Sequence, residues 1–113
     1  MCGIAGYVGK KELSPLVLKN TLKTMHSRGP DNSDYHHYKI KENHYYLLHS
    51  RLSIIDLNER SSQPFKYKNY VIIFNGEIYN YIELKKKFFN KSKLKTSSDT
   101  EILIRLYSKF KDK

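Results

Sequence analysis

The sequence predicts an α+β fold in a single small domain, and three observations carry that prediction. Candidate strands and helices fall in blocks instead of alternating strictly. No internal repeat or low-complexity linker divides the 113 residues. Hydrophobic residues make up 39% and aromatic residues 13%, enough for one core and too much for a disordered tail.

The elements follow in order. Gly3 to Val8 reads as a short buried strand bounded by glycines. Ser14-Pro15 starts a helix, with serine as N-cap and proline at the first helical position; Val17, Leu18, Leu22 and Met25 then share one face. Gly29-Pro30 stops it, glycine suiting the C′ position and proline being unable to continue the ladder. Tyr35–Ile40 and His44–Ser50, joined through Lys41-Glu42-Asn43, form an antiparallel pair. Tyr70–Phe74 is a further strand, directly followed by Asn75-Gly76, and a helix runs through Glu83–Phe89. The last helix has a capping-box signature, Ser98 with Glu101 three residues on, and an apolar stripe of Ile102, Leu103, Leu106, Tyr107 and Phe110.

Composition removes several functional classes. The lone cysteine, Cys2, excludes an intrachain disulfide framework and a cysteine-based metal cluster. His26, His36, His37, His44 and His49 lack the spacing of a helical metal motif, and no metal is expected. No apolar run approaches the ~18 residues of a membrane span, and no secretory signal opens the chain, so a cytoplasmic protein without membrane partners is expected. The net charge of +10 is concentrated in Lys85-Lys86-Lys87, Lys91, Lys93 and Lys95. With Leu84, Phe88 and Phe89 on the opposite side, this run reads as a helix's solvated face and not as a nucleic-acid interface. No Gly-x-Gly-x-x-Gly or Walker-type loop occurs.

Three features could carry chemistry. Cys2 follows Met1; with Met1 removed, one residue would hold a thiol and an α-amine of unperturbed pKa about 7.7–8.0, a base beside a nucleophile. Taken alone, Cys2 reads more readily as an incidental buried cysteine. Asn75-Gly76-Glu77 has two readings: a hairpin turn returning through Ile78–Tyr81, or a tight bend aiming an Asn amide and a Gly N–H at one developing oxyanion. Arg51 and Asp99 are opposed charges at element boundaries, a fork for a carboxylate and a partner for an ammonium group, which together suit an α-amino acid. Singly, each also reads as an ordinary surface arginine and a helix-start aspartate.

The combined wording is more specific. Met1-Cys2-Gly3-Ile4-Ala5-Gly6, Arg28-Gly29-Pro30-Asp31, Arg51-Leu52-Ser53-Ile54-Ile55-Asp56-Leu57, Gln63-Pro64-Phe65, Asn75-Gly76-Glu77-Ile78-Tyr79-Asn80-Tyr81 and Ser98-Asp99-Thr100-Glu101 occur in that order. Together they resemble the glutaminase domain of glutamine-dependent asparagine synthetases, a class II amidotransferase, over nearly the whole chain. The resemblance implies an N-terminal-nucleophile hydrolase fold, an αββα sandwich of antiparallel sheets, incomplete within residues 1–113. It implies that Cys2 attacks the side-chain amide of glutamine with its own α-amine as base. Asn75 and Gly76 would form the oxyanion hole. Arg51 would take the substrate α-carboxylate, Asp99 and Glu77 its α-ammonium, and the backbone near Leu52 and Ile55 would line the pocket. A glutamyl thioester would be resolved by water, releasing glutamate and ammonia.

Two departures stand out. The family commonly has histidine directly before Arg-Gly-Pro-Asp, where this chain has Ser27, with His26 one residue earlier. The family domain also continues beyond the length seen here, into a synthetase domain that holds ATP and Mg²⁺; these 113 residues carry no such site, and a synthetase domain or subunit is the implied partner. The competing expectation is a catalytically silent fragment serving as a subunit or interaction module.

Overall fold

The structure is a computed structural model, and it describes residues 2–52 and 61–111. It is α+β with antiparallel sheets. β1 (Gly3–Gly9), β2 (Asn32–Ile40) and β3 (Asn43–Arg51) form one sheet in the order β1-β3-β2, and β4 (Phe65–Tyr67) pairs with β5 (Tyr70–Ile72) in a second. Three helices complete the described residues: α1 (Pro15–Met25), α2 (Tyr81–Phe89) and α3 (Asp99–Phe110).

Register assigns the two faces of the larger sheet. Gly3, Ala5 and Tyr7 oppose Ser50, Leu48 and Tyr46, and α1 covers this face. Leu18, Tyr46 and Leu48 form its buried core, with Leu13, Leu22 and Met25 packed against them. Burying such side chains contributes about 1.5–3 kcal/mol each. The opposite face carries Ile4, His49 and Asp34 in one row, and Val8, Tyr45 and Tyr38 in another. Ser14 caps α1 through Val17 N–H (3.3 Å), with Pro15 at the first position, as the sequence predicts. Val17 itself stays 47% exposed: the inward stripe is Leu18, Leu22 and Met25 alone.

Gly29 corrects a second expectation. It is not a left-handed C′ residue, since no glycine has positive φ; α1 already ends at Met25, with His26 as C-cap. Its bare Cα instead lies on the backbone of Ser50 and Arg51, where an added Cβ would collide with the Ser50 carbonyl and stand 2.7 Å from the Arg51 carbonyl carbon. Backbone cannot rotate away as a side chain can. Gly29→Ala is therefore expected to cost about 3 kcal/mol, at or above the usual overpacking range, and to lower Tm by more than roughly 10 °C. Gly6→Ala is the control, because its Cβ would meet only the Tyr46 carbonyl at 3.6 Å; thermal melts of the two variants give the comparison.

The sequence predicts β5 but neither β4 nor its pairing with β5 in a hairpin. Three-residue β4 is too short for a periodic signal, and the turn, Lys68-Asn69, lacks glycine although Lys68 has φ 53°. The loop Lys41-Glu42 between β2 and β3 repeats the arrangement, with Lys41 at φ 54°. β5 also ends earlier than predicted, at Ile72, because Phe74 has left the ladder for side-chain partners described below.

α2 starts at Tyr81, two residues before the expected helix. Its Lys85, Lys86 and Lys87 are exposed while Phe89 is buried and Phe88 half-buried, the arrangement of a solvated helix face. α3 packs on α2 and on both strands of the hairpin. Contact on two sides explains why Ile104, outside the predicted stripe, is as buried as Ile102, whereas Tyr107 and Phe110 remain partly exposed. Those two rings make edge contacts instead, Tyr107 with Tyr70 and Phe110 with Phe88.

The capping box is replaced by a different device. Ser98 Oγ accepts from Thr100 N–H (3.1 Å), but Glu101 does not return to Ser98 N–H. Its fully buried carboxylate accepts from Lys95 N–H (3.0 Å), Thr96 N–H (2.6 Å) and the Thr96 hydroxyl (2.7 Å), and pairs with Arg105 (2.9 Å). Arg105 donates onward to the Lys93 carbonyl and lies over the Tyr67 ring at 4.6 Å. The loop before α3 is thereby tied down on the helix it introduces. No described helix is long and apolar enough to cross a membrane.

Candidate active site

A pocket of about 280 Å³ opens where the start of β1, the end of β3, the segment after β5 and the first turn of α3 converge. This is close to the lower end, ~300 Å³, of small-molecule sites. Seven of the eight residues expected from the sequence line it: Cys2, Arg51 and Leu52 on one side, Asn75, Gly76, Glu77 and Asp99 on the other. Ile55 lies outside the described residues.

Local structure accounts for each position. Cys2 precedes β1, and continuing the β1–β3 register puts it beside the end of β3. Its Sγ accepts from Leu52 N–H at 3.3 Å and reaches the Leu52 carbonyl at 3.7 Å, so the thiol is seated on backbone. Arg51 is the last residue of β3 and 7% exposed; its carbonyl accepts from Asp31 N–H (3.0 Å), which with the Gly29 contact explains the Arg28-Gly29-Pro30-Asp31 segment as a brace behind the arginine.

Asp99 begins α3 and is 6% exposed. One carboxylate oxygen accepts from Ile78 N–H (2.9 Å), linking it to the Asn75–Glu77 segment. Asn75-Gly76 is not the hairpin turn that was one of its two readings. Gly76 lacks the positive φ of a tight hairpin turn, and β5 pairs with β4 instead of with residues 78–81. The bend is irregular backbone at the pocket wall, with the Phe74 ring folded against Gly76, where an added Cβ would lie 2.9 Å from Cζ.

The sequence reading missed Ser61, Gln63, Phe74, Tyr79, Ser98 and Thr100 as lining residues. Gln63 had a signal in the Gln63-Pro64-Phe65 segment but no assignable role. Behind the pocket, fully buried His49 places Nε2 3.3 Å from the Phe74 carbonyl. Burial holds its pKa below the ordinary value; the Phe74 carbonyl opposes this and the Arg51 charge reinforces it, so the imidazole is neutral near pH 7. His37 and His44 hydrogen-bond to each other (2.9 Å) on the α1 side of the sheet. Among the described residues, no group of three His, Cys, Asp or Glu side chains could hold a metal ion.

Fold and pocket together define a class: a small α+β domain with a thiol near the chain start, set in a pocket built from both halves of the sequence. A family profile described as a glutamine amidotransferase domain matches residues 1–113, and the chain belongs to that family. It is 36% identical to a putative glutamine-hydrolysing asparagine synthetase 2 of Methanocaldococcus jannaschii, over 96% of this chain. It is 39% identical to glutamine-hydrolysing asparagine synthetase 1 of Bacillus subtilis over 99% of this chain, and 34% identical to asparagine synthetase B of Escherichia coli over 95%. The chain spans only 24%, 18% and 19% of the length of those three relatives, respectively.

Proposed function

We propose that this chain performs the glutaminase half-reaction of an asparagine synthetase, with Cys2 as nucleophile. The observation that carries the reading is the convergence, in one pocket of about 280 Å³, of a thiol, an arginine fork, an Asn-Gly bend and two carboxylates. After removal of Met1, the Cys2 α-amine takes the thiol proton and Sγ attacks the side-chain amide carbon of glutamine. Asn75 and Gly76 stabilise the oxyanion as the tetrahedral intermediate forms. Arg51 receives the α-carboxylate, Asp99 and Glu77 the α-ammonium, and the Leu52 backbone borders the substrate. Collapse of the intermediate returns a proton to the leaving ammonia and leaves a glutamyl thioester. Water then adds to the thioester, the thiol leaves, and glutamate is released.

The fold proposed for residues 1–113 is part of an N-terminal-nucleophile αββα sandwich. α1 on one face of the three-stranded sheet and α3 on the β4–β5 hairpin support it. In a protein of the relatives' length, the ammonia would serve ATP- and Mg²⁺-dependent amide synthesis elsewhere, and no cofactor is assigned to these residues. A second reading, a silent subunit or interaction module, is favoured by one observation: Ile4 and Val8 are 47% and 62% exposed on the sheet face away from α1.

Intact mass after exposure to a glutamine-like electrophile separates the two. The glutaminase reading expects a des-Met species with one adduct on Cys2, blocked by excess glutamine. Retained Met1, or labelling that glutamine does not block, favours the silent module.

A further inference from the structure

Phe74 stands immediately before the Asn75-Gly76 bend, and both of its backbone groups are held by buried side chains from other elements. Its N–H donates to Oε1 of Gln63, and its carbonyl faces Nε2 of His49 at 3.3 Å. Gln63 is 7% exposed and His49 fully buried. Because a carbonyl only accepts, the contact requires the Nε2–H tautomer, leaving Nδ1 as an acceptor without a partner among the described residues. Gln63 Nε2 in turn donates to the Thr100 hydroxyl at 3.3 Å, one residue after Asp99. β5 ends at Ile72, so Phe74 has no ladder partner, and a buried backbone group left unmet costs about 1–3 kcal/mol.

We propose that His49 and Gln63 are positioning residues, a two-point clamp on the Phe74 backbone that aims the Asn75 amide and the Gly76 N–H at the pocket. The Gln63–Thr100 bond anchors the Gln63 end of that clamp on the first turn of α3. The Phe74 ring, lying against Gly76, carries the constraint forward. The catalytic consequence rests on the glutaminase reading above; the geometry of the clamp does not.

The full chain is compared with Gln63→Met, His49→Leu and His49→Gln, the last restoring a donor near the Nε2 position. Gln63→Met and His49→Leu are expected to lower kcat for glutamate release about 10- to 100-fold, less than the ~10²–10³ for deleting an oxyanion donor outright. KM is expected to stay within about twofold, because Arg51 and Asp99 are untouched, and His49→Gln to recover most of the loss. Independently of turnover, amide exchange at Phe74 is expected to be at least roughly tenfold faster in Gln63→Met, and imidazole ¹⁵N shifts to report Nε2–H at His49.

Unchanged kcat overturns the proposal, as does a parallel loss of kcat, KM and melting temperature that marks general collapse. Unchanged Phe74 exchange or an Nδ1–H tautomer also overturns it. A wild-type chain that releases no glutamate counts against the glutaminase reading, and the exchange and tautomer measurements then decide the clamp alone.

Discussion

Cys2→Ala is expected to abolish glutamate release from glutamine, by at least ~10⁴-fold in kcat, while the fold persists. The asymmetry follows from where the thiol sits. Cys2 is half-buried ahead of β1, and its Sγ meets the Leu52 backbone at 3.3 and 3.7 Å, so truncating it opens little core. Without Sγ there is no acyl acceptor, so the variant is expected to bind glutamine without cleaving it. Cys2→Ser preserves the geometry with a much poorer nucleophile and is expected to retain only traces. Coupled glutamate detection on purified wild type and variants checks this, with melts confirming that both variants fold. Glutamate release from Cys2→Ala within tenfold of wild type would falsify the assignment.

The largest stability effect is expected at Glu101. Glu101→Gln is predicted to cost about 3–5 kcal/mol, the range for removing one partner from a buried ion pair. Glutamine would place an NH₂ where the carboxylate now accepts either from Lys95 or from Thr96, and would leave Arg105 without its counter-charge. The loop before α3 would loosen, and with it the N-cap and Asp99, so KM for glutamine should rise alongside the loss of Tm. Urea titration and steady-state kinetics test the two parts separately.

The same residue sets an acid limit. Burial alone would raise its pKa, but the bonds from Lys95, Thr96 and Arg105 outweigh that and hold it below the ordinary 4.5. A depressed carboxylate contributes stability that is present above the unfolded value and lost as pH falls through the folded one. His49 acts in the same direction: its folded pKa also lies below its ordinary 6.5, so the unfolded chain binds the extra proton first as pH falls. Stability should therefore decline from about pH 6.5 downward, with a second loss below 4.5, and His49→Gln should flatten the first phase.

Several elements and much of the site were readable before the fold was known, for local reasons. Ser14 and Ser98 satisfy orphan helix donors from adjacent sequence, and the tyrosine-rich runs Tyr35–Ile40 and His44–Ser50, separated by three residues, mark an antiparallel pair. Residue chemistry also singled out Arg51 and Asp99, a fork and a carboxylate far apart in sequence, and the fold brings both to one pocket. The misreadings share the opposite character. Gly29 looked like a helix stop because glycine ends helices, but its constraint comes from the Ser50–Arg51 backbone on another strand. Glu101 looked like half of a capping box because the spacing allowed it, but Lys95, Thr96 and Arg105 claim its oxygens.

By itself, then, the chain's sequence determined its α+β character, most of its element types and the kinds of groups available for chemistry, because propensity, capping and charge act over a few residues. Tertiary structure alone decided that Asn75-Gly76 is a pocket wall and not a hairpin turn, and that Gln63 and His49 hold its position. The physical reason is that Phe74 leaves the β ladder and its N–H and C=O must find partners, which only packing between distant segments supplies.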